Sequence, residues 1–169
     1  MCRRTNRLKA SDRNVKKTLY IHYGDSAFSK AKFGSIKNRS FKWVKPDYKS
    51  GLWASPINSK WGWKDWCESE EFRLDTFDKC FRFWLTKDAK VAHIYSVQDL
   101  IDLGGYKDAD SRRYDMCYLD FEKIARKYDA IELHLCYDGE HINQDLYFAL
   151  YGWDCDSLLV LNPDVVKTA

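Results

Sequence analysis

Apolar residues in the last third of the chain fall into two short runs. One is Ala130-Ile131 with Leu133, introduced by Tyr128-Asp129. The other is Leu158-Leu159-Val160-Leu161, introduced by Asp154-Cys155-Asp156. Runs of this length between polar flanks predict buried strands. The second closes on Asn162-Pro163-Asp164, a turn, because proline fixes its own φ and disfavours helix at the residue before it. Nearer the start, residues 18–23 are β-branched and aromatic and stop at Gly24-Asp25, which predicts a first strand. A polar loop over 45–51 leads to a short strand that Pro56 ends. Residues 80–85 alternate, and 91–95 form a further strand. The stretch 26–45 mixes Phe28, Phe33, Ile36, Phe41 and Trp43 with basic residues and shows no single period.

Helix signals are fewer. Ser96 is an N-cap with Asp99 at the third helical position, and Gly104-Gly105 ends that helix after Leu103. Asp120 caps a second helix over 121–127, whose basic end suits the dipole. A helix over 64–72 gathers tryptophans of the Trp61, Trp63 and Trp66 group on a shared face, as core or rim packing. Residues 141–151 are helix or loop. Several short strands with few short helices predict an α+β domain with a mostly antiparallel, split or barrel-like sheet.

The 169 residues, 45% hydrophobic and 16% aromatic, suit one packed domain over 18–169 behind a basic N-terminal arm, 1–17. The charge is uneven. Residues 1–50 hold 14 Lys+Arg and 3 Asp+Glu, a net of +11; the remainder holds 14 and 22, a net of −8. A basic arm on an acidic body meets nucleic acid, an acidic protein partner, or the body itself. None of the six cysteines is spaced as CxxC and no histidine pair has zinc-finger spacing, so no metal site is expected. With no secretory leader and no apolar run near the length of a membrane span, the expectation is a cytoplasmic chain with reduced thiols and no membrane.

Carboxylates at the mouth of buried strands are expensive to desolvate. Their ordinary role is to cap strand ends. A functional role needs partners, and three pieces recur in order along the chain: His22-Tyr23-Gly24 after the first strand, Gly51-Leu52-Trp53-Ala54-Ser55 after the Lys/Pro loop, and Asp156 opening a strand that ends in Asn162-Pro163. With Tyr128-Asp129-Ala130-Ile131 between, this order over about 19–166 resembles the ADP-ribosyltransferase family, especially its phage and bacterial toxin-like members.

The resemblance implies NAD as cofactor, bound in a cleft between two small sheets. Cleaving the nicotinamide–ribose bond builds positive charge on the ribose, so the site needs a ribose-gripping donor, an aromatic wall and an anion. By resemblance, His22 holds a ribose hydroxyl and Trp53, with Tyr23 as alternate, flanks the nicotinamide. Ser55 helps hold it, and Gly24 and Gly51 belong to the cofactor-binding stretches. Asp156 stands as the catalytic carboxylate where the family carries glutamate; Asp154 and Glu132 are the alternatives. Lys45 and Lys49 are candidates for the diphosphate or plain loop lysines, and a lone His22 is also an ordinary structural histidine. His93, His134 and His141 gain no role. Two functions follow. One is a mono-ADP-ribosyltransferase modifying a protein or nucleic-acid target, as a phage or mobile-element effector. The other is a catalytically inactive binding protein on the same scaffold, for example an anti-CRISPR-type inhibitor of a host nucleic-acid-handling complex. The absent glutamate favours the second; His22 and the Gly51-to-Ser55 stretch favour the first.

Overall fold

The computed structural model describes residues 17–40, 44–107, 116–136 and 138–168; the basic arm, apart from Lys17, lies outside them. Among the described residues, seven strands form one mixed sheet. In chain order they are β1 (Tyr20–Tyr23), β2 (Leu52–Pro56), β3 (Cys80–Leu85), β4 (Val91–Ile94), β7 (Ala130–Leu133), β8 (Ser157–Val160) and β9 (Val166–Thr168). A separate ribbon pairs β5 (Tyr106–Lys107) with β6 (Cys117–Tyr118). Four short helices accompany them: α1 (Trp63–Ser69), α2 (Val97–Asp102), α3 (Phe121–Ile124) and α4 (Gln144–Ala149). The α+β expectation therefore holds. The spatial order is β4-β7-β8-β2-β1-β3-β9. The pairs are antiparallel except β4 with β7, whose parallel alignment is made possible by the long crossover carrying α2 and α3.

Strand alternation divides the core in two. One face carries Ile94, Ile131, Leu133, Leu159 and Leu161, packed with Leu100, Phe121, Ile124, Leu146 and Trp153 from the helical side. The other carries Tyr20, Ala54, Phe83, Ala130, Leu158 and Val160. Among the described residues none of the four α-helices contributes to that second cluster; strand residues and Val165 of the short 3₁₀ turn before β9 form it, and the sheet curls over it. Tyr20 on β1 donates its hydroxyl to Glu132 Oε2 on β7 at 3.0 Å. In a flat sheet β1 and β7 would stand three strand spacings, about 14 Å, apart. Curling closes that gap and creates a concave inner face.

Gly51 is required where β2 meets β8. Its φ is +72°, and a Cβ there would lie 2.7 Å from the Val160 carbonyl oxygen and 2.7 Å from Leu159 Cδ1. Asp129, at the mouth of β7, acts as a strand-end staple: it accepts from the Lys90 amide at 2.8 Å and from Asn162 Nδ2 at 2.8 Å.

Candidate functional site

His22 and Tyr23 leave β1 on opposite faces. His22 lies on the inner face, its ring 5.0 Å from that of Phe81. Its Nδ1 is 2.6 Å from the Trp53 carbonyl oxygen. A carbonyl only accepts, so the proton sits on Nδ1 and the ring presents Nε2, 3.8 Å from Asp25 Oδ2. Gly24 follows with φ +115°, a conformation that glycine adopts without strain, and turns the chain away. Tyr23 points to the outer face, edge-on to Phe77 at 5.2 Å.

The β2 side chains divide in the same way. Ala54 belongs to the inner cluster, whereas Trp53 packs on the helical side against the buried Trp153, ring centroids 4.6 Å apart. Lys45 Nζ lies 5.8 Å from the Trp53 ring. Burial lowers the Lys45 pKa and raises that of Asp154, and each charge moderates the other's shift. Ser55, almost fully buried, accepts from the Trp63 amide at 2.9 Å and so satisfies the start of α1. His22 thus shares a cleft with neither the Trp53 ring nor Ser55.

Asp156 is 8% exposed, and its carboxylate accepts three hydrogen bonds within the chain. Oδ1 accepts from the Leu135 amide at 2.7 Å and the Cys136 amide at 2.9 Å. Oδ2 accepts from the Ser59 hydroxyl at 2.7 Å. Its own amide donates to the Trp61 carbonyl at 2.9 Å. The carboxylate pins the chain after β7 and the loop after β2 to the start of β8. Cys155 beside it is buried, and burial pushes its thiol up to about 12, which disfavours the thiolate.

A different group of side chains converges on the inner face near the β4 edge. His93 and Glu132 are direct partners in the β4–β7 register, and His134 follows Glu132 by two positions, on the same face. His93 Nδ1 is 3.1 Å from His134 Nε2 and 3.3 Å from Glu132 Oε2; His134 Nε2 is 4.0 Å from that oxygen. Tyr95 stacks on His134 with ring centroids 4.2 Å apart and planes 5° from parallel. Burial lowers the His134 pKa, against the opposing pull of Glu132. The order of motifs along the chain gives the two histidines no role. Their only sequence signal is the Glu132-x-His134 spacing across the end of β7, and β4 has to be placed beside β7 before His93 can join it.

No protein-family model matches the chain, and neither a curated protein nor a solved structure matches it. No helix among the described residues is long and apolar enough to cross a membrane.

Proposed function

We propose that the chain is a binding protein built on an ADP-ribosyltransferase-like scaffold, acting by occupying a protein or nucleic-acid target rather than by transfer through Asp156. The observation that carries this reading is the engagement of Asp156. A carboxylate that stabilises a cationic ribose must turn its charge toward the substrate. Here that charge holds two backbone amides and a hydroxyl. The Trp53 ring and Ser55 also serve packing and helix capping, on the face opposite His22. A phage or mobile-element inhibitor of a host complex is the setting this reading takes from the resemblance.

The transferase reading rests on His22. Its ring is fixed by one backbone acceptor, and Nε2 is presented on the inner face, as a ribose hydroxyl would need. Labelled NAD incubated with the chain and a host lysate separates the two. The binding reading expects no labelled macromolecule, together with target binding that survives Asp156→Asn in a variant verified as folded. A labelled product that disappears in Asp156→Asn would establish the transferase instead.

A further inference from the structure

We propose that His93, Glu132 and His134 form a binding site for a divalent first-row transition metal ion of the zinc type, with Tyr20 holding the carboxylate in place. The three side chains each offer one ligand atom, and the atoms lie within 4.8 Å of one another, close enough to share one ion. Their separations are 3.1, 3.3 and 4.0 Å. Ligands about 2.0–2.1 Å from a tetrahedral ion stand roughly 3.3 Å from each other, so little rearrangement is needed.

The protein interior gives the cluster a reason to take a cation. The Glu132 side chain is only 5% exposed, and a carboxylate at that depth needs a counter-charge or several donors. Its surroundings provide the Tyr20 hydroxyl at 3.0 Å and two imidazole nitrogens facing each other. A cation among these three atoms would accept a lone pair from each ring and from the carboxylate.

The supporting contacts are those that orient metal ligands. Tyr20 donates to the carboxylate, and Tyr95 fixes the plane of the His134 ring. Two imidazoles and one carboxylate select zinc, iron, cobalt or nickel over magnesium and calcium, which prefer all-oxygen sites. The His93 side chain is 48% exposed, so the site borders solvent, as in three-ligand sites that leave a position for water or a substrate oxygen.

The test uses the full chain, stripped with a chelator and kept under a non-thiol reductant. Zn²⁺ is titrated by calorimetry and Co²⁺ by visible absorption. The expected result is saturable uptake of one ion per chain, with a Co²⁺ spectrum free of thiolate charge transfer. His93→Ala, at a half-exposed edge position, weakens uptake at least about tenfold, and Tyr20→Phe weakens it about tenfold by releasing the carboxylate. Glu132→Gln, verified as folded by circular dichroism, weakens it further. No saturable uptake, uptake unchanged in His93→Ala, or a Co²⁺ band from thiolate would each overturn the assignment. The thiolate band would place the ion on cysteine instead.

Discussion

Asp156 shows how one residue type supports two different expectations. Its position before an apolar strand marks it for chemistry; its three donors make it a structural staple. Asp156→Ala leaves the Leu135 and Cys136 amides without their acceptor and should lower unfolding free energy by about 2–4 kcal/mol, read by urea denaturation. Asp156→Asn retains an accepting oxygen and should cost about 1 kcal/mol. Asp156→Glu forces a methylene into a tight site and should destabilise by about 1–3 kcal/mol without creating transfer activity. A stable Asp156→Glu protein that labels a target would contradict the structural assignment. His93 and His134 are the opposite case. They lie 41 residues apart and meet only through strand pairing, so no local motif announces them.

At the scale of elements, caps were legible and lengths were not. Ser96 accepts from the Asp99 amide, and Asp99 Oδ2 accepts from the Ser96 amide, as the S-x-x-D spacing predicts. Asp120 accepts from the Lys123 amide. Yet the helix after Asp120 stops at Ile124, short of the expected 127, since the chain must turn to enter β7. The ambiguous stretch 141–151 contains α4, capped by Asn143. The strand β9 has no sequence signal of its own because it is three residues long and gains its definition from pairing with β3.

The Ser96–Asp99 cap makes a pH prediction. Hydrogen bonds from the Tyr95 amide first, then from the Ser96 hydroxyl and amide, hold the Asp99 pKa below its ordinary value. A carboxylate with a depressed folded pKa contributes stability above its unfolded pKa and loses it as pH falls through the folded one. Asp99→Asn should therefore be less stable than the parent at neutral pH by about 1 kcal/mol, and the difference should vanish in acid, once pH has fallen through the depressed folded pKa. Urea midpoints at neutral and acid pH check this; a gap that persists in acid would show that the carboxylate charge is not its source.

For the whole molecule, charge distribution is the readable feature. Residues 1–16 carry Arg3, Arg4, Arg7, Lys9, Arg13 and Lys16 against Asp12 alone. Removing them should weaken binding to a duplex DNA probe and flatten its salt dependence by about 0.9 in log–log slope for each phosphate that is no longer neutralised. An unchanged slope would show that the arm does not meet phosphates.

By itself the sequence determined the strand runs, the caps and the charge split, because each depends on neighbours a few residues away. Alternation along β1 and β2 was also implicit: it sends Tyr23 and the side chains of Trp53 and Ser55 to one face and His22 to the other. Only the tertiary structure decided which carboxylate is engaged and which groups converge. Strand order places β4 beside β7, and the curl brings the Tyr20 hydroxyl onto Glu132. Both arise from packing between segments more than 30 residues apart, where burial of the whole sheet, and not local spacing, sets the geometry.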